Sequence, residues 1–230
     1  FIDGSNKLLL SMRNHPIPPV TEPMQYRAIG MVRGIYRSEN QEHFTRGHLV
    51  DEEGLEIQAV VLGRVMTLMR RYLDMGKPHL WVVYPRCREL DHLHLQIAGI
   101  WEPITLEKNP EQSSKSQNSL DAPLPEGDDY FSIRGELIFT KPESHELVIK
   151  VRQRKKSDGT RPAPFKLMLK GEIPLTLLRR FLSLDIRRKD QTLYVESYED
   201  IGTIPGKVNH QRRIPVSRSK AIDRVANSSS

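Results

Sequence analysis

The chain has 230 residues, of which 37% are hydrophobic and 28% charged, a composition typical of a soluble protein that buries a core. It carries a formal net charge of +6 and one cysteine, so an internal disulfide and a zinc site built on a cysteine cluster are excluded. No stretch approaches the roughly 18 apolar residues of a membrane span, and residues 1–20 show no signal-peptide pattern. We therefore expect a cytoplasmic protein in a reducing compartment, with no membrane partner.

The charge is distributed unevenly along the chain. Residues 1–119 contain 14 basic and 14 acidic residues, whereas residues 130–220 contain 20 basic and 10 acidic residues. Because polyanions such as nucleic acids bind to basic surfaces, this asymmetry favours a polyanion partner for the second half. Basic residues also keep proteins soluble, so charge alone leaves that simpler explanation open.

Three stretches are rich in proline or polar residues and lack the apolar periodicity of helices and strands. They are interpreted as a disordered N-terminal segment, a flexible linker and a basic C-terminal tail, at residues 1–24, 102–129 and 206–230. Two blocks of nearly equal length lie between them, at residues 25–101 and 130–205. Each block is large enough to fold as a separate domain.

The first block is predicted to contain five strands and one helix. The strands are predicted at residues 26–36, 43–51, 55–62, 80–84 and 93–101. A helix is predicted at 64–74, because apolar residues recur there at three- and four-residue spacing. Those residues are Val65, Leu68, Met69, Tyr72 and Leu73. Gly76 and Pro78 follow, as is typical of a helix end.

The second block repeats this order of elements. The run Leu68–Leu73 aligns with Leu177–Leu182, which predicts a helix in the second block as well. A short β-rich run at 193–195 corresponds to the fourth strand. The fifth strand is ambiguous: it is formed by residues 198–204 or by 213–216, or the second barrel stays open.

Three strands, one helix and two further strands is the order of elements in a five-stranded OB barrel. Each block thus resembles an OB fold, and the chain resembles the tandem OB-fold proteins. The resemblance implies a mainly β chain with one helix per domain and two OB-like five-stranded barrels in tandem. It implies a default ligand face but no particular activity. The alternative is an open α+β arrangement.

Catalytic motifs are absent from the sequence. It contains no glycine-rich phosphate loop, no GxSxG and no HExxH. His92 and His94 would share one face of a strand, but two ligands do not make a metal site. Cys87 lies between Arg86 and Arg88, which would activate the thiol, yet no base can be named. We expect no enzymatic activity, metal or cofactor; a small enzyme using these residues is the weaker alternative.

OB folds hold single-stranded nucleic acids on the outer face of strands two and three and on adjoining loops. In the second block, apolar residues alternate with basic ones, so packing the apolar set inward leaves the basic set outside. The hairpin at 155–161 extends this charge, and Tyr130 shares the outer face and could stack on a base. The predicted nucleic-acid-binding residues are Tyr130, Arg134, Lys150, Arg152, Arg154, Lys155, Lys156, Arg161, Lys166 and Lys170.

The predicted function is a non-enzymatic protein that holds single-stranded RNA or DNA on the second domain. The first domain has a mixed surface on its second and third strands, with Arg46 and His48 beside Glu56 and Gln58, and could contact a protein partner. Tyr84 is a further candidate for base stacking. The alternative is an adaptor subunit of a larger assembly, in which the OB-like domains dock partner proteins.

Overall fold

A computed structural model describes residues 15–40, 44–88, 92–101 and 124–205. These residues form ten strands, β1 to β10, and one α-helix, α1 (Gly63–Tyr72). The strands are Arg27–Ser38, Arg46–Val50, Glu56–Val61, His79–Arg88, His92–Ile100, Tyr130–Lys141, Glu146–Val151, Phe165–Lys170, Arg180–Lys189 and Thr192–Thr203. The predicted C-terminal tail (206–230), most of the predicted linker (102–123) and residues 1–14 lie outside the described residues.

The first five strands form a closed OB barrel. Their order is β1–β2–β3–β5–β4, and β4 pairs back with β1. β3 and β5 are parallel, whereas the other neighbours are antiparallel. Alternate residues of β3 are buried, as a strand with one face on the core requires. Trp81 fills the interior and donates its indole N–H to the Gly34 carbonyl at 2.9 Å, so its polar atom is satisfied.

The second five strands form the same ring, in the order β6–β7–β8–β10–β9, with β9 paired to β6. The ring closes through a short parallel contact in which Tyr194 of β10 lies opposite Lys170 of β8. β10 runs continuously from Thr192 to Thr203, so it contains both the run predicted as strand four and most of the run at 198–204. The second barrel is therefore closed rather than open, and the closing contact lies at Tyr194, in the run predicted as strand four, while residues 198–203 continue the same strand along β9. Residues 213–216 lie outside the described part.

The predicted helix in the second domain is wrong. Leu175–Leu177 form a short 3₁₀ turn, and Phe181 and Leu182 belong to β9. Only residues 171–179 connect β8 to β9, whereas residues 62–78 connect β3 to β4 in the first domain. The shorter connection leaves no room for a ten-residue helix and its turns. Ile173, fully buried, fills the core at this position instead.

The two barrels are joined by strand pairing. Residues 27–30 of β1 pair antiparallel with residues 131–134 of β6, which makes one sheet of all ten strands. Arg188 donates to Asp51 at 2.9 Å across this boundary and to Asp129 at 2.7 Å, and its side chain is only 2% exposed. These contacts fix the orientation of one domain against the other. No helix in the described ranges is long and apolar enough to cross a membrane.

Residues 15–24, which the sequence placed in a disordered segment, pack against the barrels without forming helix or strand. Ile17 is buried in a small cluster on the outer face of the first barrel with Ile29, Met31 and Leu80. His15 lies 3.0 Å from Glu126. The proline-rich sequence prevents regular pairing, as predicted, but one buried isoleucine and several hydrogen bonds still order this segment.

Candidate nucleic-acid interface

The loop between β7 and β8 is a hairpin closed by a tight turn. The Lys156 N–H donates to the Thr160 carbonyl at 2.8 Å, and the Gly159 N–H donates to the Lys156 carbonyl at 3.0 Å. Gly159 has φ +82°, a left-handed conformation that glycine adopts without steric cost. Asp158 accepts hydrogen bonds from the Thr160 hydroxyl and N–H, and these lower the pKa of its carboxyl. The one carboxylate of the loop is therefore engaged in holding the turn.

Four of the five cations of this loop are exposed. We call Arg154, Lys155, Lys156 and Arg161 the basic hairpin; each is exposed, as is Lys166 at the start of β8. Among the described residues, no carboxylate lies within ion-pair distance of any of them. Because their charge is not neutralised within the described part of the chain, these residues form a strongly positive projection beside the second barrel.

Lys150 and Lys170 lie on the predicted outer face, but each pairs with a carboxylate. The Lys150 ammonium lies 3.0 Å from the buried Glu136 carboxylate. Lys170 donates to Glu146 at 3.0 Å, and this hydrogen bond lowers the pKa of the Glu146 carboxyl. Their charge is thus largely compensated, which the sequence pattern could not reveal because both partners lie on neighbouring strands.

Arg152 lies at the base of the basic hairpin, half-buried over the ring of Tyr26 with its guanidinium carbon 5.7 Å from the ring centroid. Burial raises the pKa of the Tyr26 hydroxyl, and the charge of Arg152 opposes that shift. Because Tyr26 immediately precedes β1, this stack connects the hairpin to the first domain.

The prediction that Arg134 lies on the exposed face is wrong, since this residue is only 6% exposed. Its guanidinium donates to the Ser183 hydroxyl at 2.7 Å and to the backbone carbonyls of Pro23 and Gln25. Burial lowers the pKa of Arg134. The strand alternation was read correctly, but residues 23–25 cover this part of the outer face, so Arg134 has a structural role.

Tyr130 also has a structural partner. Its hydroxyl donates to Asp185 at 2.7 Å, and burial together with this bond raises its pKa to about 12. Tyr130 and Tyr84 both pack against the outer cluster that contains Ile17. Both tyrosines are half-buried, so neither presents a free ring for base stacking.

Tyr194 is an exposed aromatic residue that was not among the predicted site residues. Its side chain is 41% exposed on β10, opposite Lys170, and the Lys189 ammonium lies 5.9 Å from its ring centroid. The alternation of buried Leu193 with Tyr194 was a usable signal. The sequence predicts residues 193–195 as the fourth strand, whereas they belong to the fifth, β10, which pairs with β8 at the ligand face.

In the first domain, His92 and His94 share the outer face of β5, opposite Arg88 and Arg86 on β4. The parts of the chain that the structure describes contain no group of three or more His, Cys, Asp or Glu residues placed to hold a metal ion. Cys87 is half-buried. From the sequence, Tyr84 of β4 was a candidate for base stacking, but the surface charge of this domain was inferred from β2 and β3 alone, so the basic residues of β4 and β5 were not predicted as a ligand surface.

Comparison with known proteins gives two family matches. Residues 28–108 match the N-terminal OB-fold domain of the PatR RNA-binding protein, and residues 133–202 match a C-terminal, cyanobacterial OB-fold-like RNA-binding domain. No curated protein shows significant similarity to the chain. Both matching descriptions name RNA binding and neither names a catalytic activity, so they support RNA binding in general. The two matching domains and the two closed barrels show that the chain contains two OB folds in tandem.

Proposed function

We propose that this protein binds single-stranded RNA without catalysing a reaction, and that the basic hairpin and Lys166 provide the main phosphate contacts. The observation that carries the proposal is the set of five exposed cations that have no carboxylate partner among the described residues. The only acidic residue of the same loop, Asp158, bonds to Thr160 instead.

The hairpin suits backbone recognition because its cations are long, exposed and mounted on an ordered turn. Lysine and arginine side chains that contact phosphates release counterions, and this release supplies most of the sequence-independent affinity. Lys150 and Lys170 contribute less, because Glu136 and Glu146 hold their ammonium groups. We infer that affinity depends more on the hairpin than on the strands it connects.

The test is fluorescence polarisation with a labelled single-stranded RNA, titrated with salt. If four phosphates are engaged, the slope of log affinity against log salt should be about −2.8, since each contributes roughly −0.7 for a single strand. The double variant Lys155→Glu/Lys156→Glu should weaken binding at least tenfold at about 0.1 M salt and make the slope shallower.

The matched control is Arg64→Glu/Arg71→Glu. These two residues are exposed on α1, and the substitutions change the net charge by the same amount. If global charge alone drives binding, both double variants lose affinity equally and the proposal fails. If neither variant loses affinity, the hairpin is not the site.

A single-stranded DNA of the same sequence and an RNA duplex serve as competitors in the same assay. We expect the single-stranded RNA to compete best, because an OB surface suits an unpaired strand and both matching models name RNA. Equal competition by DNA would mean that the surface binds single strands generally. No binding of any nucleic acid, with one co-purifying protein at equal stoichiometry, would favour the adaptor function instead.

A further inference from the structure

We propose that the bound RNA strand does not stay on the second domain but crosses onto the outer face of β4 and β5 of the first domain, so that both barrels form one continuous binding path. This inference rests on the proposed function. It assigns a new contact surface, the β4–β5 basic face, defined as Arg86, Arg88, His92 and His94.

The four residues of the β4–β5 basic face lie together because of the strand register. Arg86 lies opposite His94, and Arg88 lies opposite His92. Residues directly opposite each other on antiparallel strands have Cβ atoms roughly 5 Å apart, and alternate residues share a face. Two arginines and two histidines are thus concentrated in two consecutive cross-strand pairs, with Arg88 and His92 exposed at the solvent end.

The β4–β5 basic face is not neutralised by the described part of the chain. No carboxylate of the described residues, which exclude Glu89 and Asp91, lies within ion-pair distance of Arg86, Arg88 or His94. Within the described ranges, the Arg86 guanidinium donates its one hydrogen bond to the Pro85 carbonyl. Burial lowers the pKa of Arg86, and burial with the nearby charges of Arg88 and Arg86 lowers the pKa of His94.

The burial of Arg86 costs stability, because a partly buried guanidinium has no counter-charge among the described residues. The lowered pKa of His94, opposite Arg86, keeps that imidazole mainly neutral at about pH 7. His94 also has a buried ring nitrogen, Nδ1, with no hydrogen-bond partner in the described structure. An anionic ligand would supply the counter-charge that Arg86 and Arg88 lack, and a phosphate backbone supplies negative charge at regular spacing.

The β4–β5 basic face adjoins the second domain at the start of β8. The Arg86 guanidinium carbon lies 3.9 Å from the ring centroid of Phe165, the residue immediately before Lys166. Deeper in the same boundary, Cys87 and Leu93 line a small cavity together with Met168 and Leu169 of β8. The end of the β4–β5 hairpin therefore lies against β8, and Arg86 lies beside the residue that precedes Lys166 in the chain.

The relative position of the two basic surfaces is fixed by the fold. The pairing of β1 with β6 and the buried Arg188–Asp51 ion pair prevent the domains from separating freely. A strand that leaves the basic hairpin at Lys166 can therefore reach Arg86 and then Arg88 without any domain movement. The second contact becomes intramolecular, which raises affinity without further entropy loss from association.

The experiment compares single substitutions on one long single-stranded RNA of about 15 nucleotides and on a short one of about 5, in the full chain. Arg88→Glu tests the β4–β5 basic face, and Lys156→Glu tests the basic hairpin. Arg71→Glu, an exposed arginine on α1 of the same domain, is the control of equal charge. Thermal unfolding of each variant confirms that the exposed substitutions leave the fold intact.

We expect Arg88→Glu and Lys156→Glu each to weaken binding of the long RNA about fivefold or more at about 0.1 M salt. We also expect one long RNA to bind per protein. On the short RNA, Arg88→Glu should weaken binding clearly less than it does on the long RNA. If Arg88→Glu behaves like Arg71→Glu while Lys156→Glu weakens binding, the continuous path is overturned and the proposed function stands. Two long RNAs bound per protein would also overturn the path. If Lys156→Glu has no effect, the proposed function itself fails.

Discussion

Arg27 of β1 and Arg134 of β6 lie directly opposite each other where the two barrels pair. Two facing guanidinium groups repel each other, and hydrogen bonds to carbonyl and hydroxyl oxygens of the chain stabilise both of them. Arg27 donates to the Pro18 carbonyl at 2.7 Å and to the Ser132 hydroxyl at 2.6 Å. Arg134 donates to the Pro23 and Gln25 carbonyls. The segment before β1 therefore stabilises the junction between the domains.

This arrangement predicts that Arg134→Ala destabilises the fold without removing a phosphate contact. Loss of charged hydrogen bonds to Ser183 and two backbone carbonyls should cost about 2–3 kcal/mol in the free energy of unfolding. Urea unfolding measures this loss, and RNA affinity measured well below the transition should change less than twofold. Arg154→Ala is the matched control: it should leave stability within about 0.5 kcal/mol and weaken RNA binding. If Arg134→Ala instead weakened RNA binding and left the free energy of unfolding unchanged, Arg134 would belong to the binding surface.

The buried Arg188 should be the most sensitive single residue at the domain boundary. Arg188→Ala leaves Asp51 and Asp129 facing each other without their shared cation, and we expect a loss of about 3–5 kcal/mol. Burial already raises the pKa of Asp129 and Arg188 opposes that shift, so the substitution should raise this pKa further, measurable by carboxyl NMR titration. A double-mutant cycle with Asp51→Ala should show strongly non-additive losses. Additive losses would mean that the pair is not coupled.

Tyr194 is predicted to stack on a base. Tyr194→Ala should weaken RNA binding by about 1–3 kcal/mol, whereas Tyr194→Phe should retain most of the affinity because the ring is kept. Fluorescence polarisation provides the measurement. Tyr72→Ala, which removes an exposed tyrosine from α1, is the control and should bind normally. Equal affinities for the wild type and Tyr194→Ala would exclude this residue from the RNA path.

Stability should fall at alkaline pH because two tyrosines hold their protons more tightly in the folded chain. Burial raises the pKa of Tyr36 and of Tyr130 to about 12, whereas an unfolded tyrosine ionises near roughly 10. Between these values the folded state binds more protons than the unfolded state, so the free energy of unfolding decreases as pH rises. Urea unfolding at pH 9 and above, in steps of about half a pH unit, measures how steeply the free energy of unfolding falls with pH. Tyr130→Phe should make this fall shallower. If the fall is as steep in the variant as in the wild type, the raised pKa of Tyr130 is contradicted.

The local sequence pattern was sufficient to predict where most of the strands lie. The first domain follows the predicted order of strands and helix, because alternation in β3 and β5 and the three- and four-residue spacing in α1 reflect which face each element buries. In the second domain, the run Leu177–Leu182 resembles the helix of the first, but it begins at the end of a 3₁₀ turn and its last three residues open β9. The connection between β8 and β9 is too short for a helix, and a comparison of local residue types does not take the length of a connection into account.

The sequence by itself determined two domains with the element order of an OB fold and a basic hairpin at 155–161, because backbone periodicity, turn residues and net charge are local properties. Closure of the second barrel was decided by the tertiary structure, since it depends on the contact between β8 and β10. Only the tertiary structure decided which cations are exposed. Glu136 and Glu146 neutralise Lys150 and Lys170 across strands, and the segment at 23–25 covers Arg134. It also placed Arg86 against Phe165. Charge compensation and burial depend on residues distant in sequence, and so they appear only when the barrels pack.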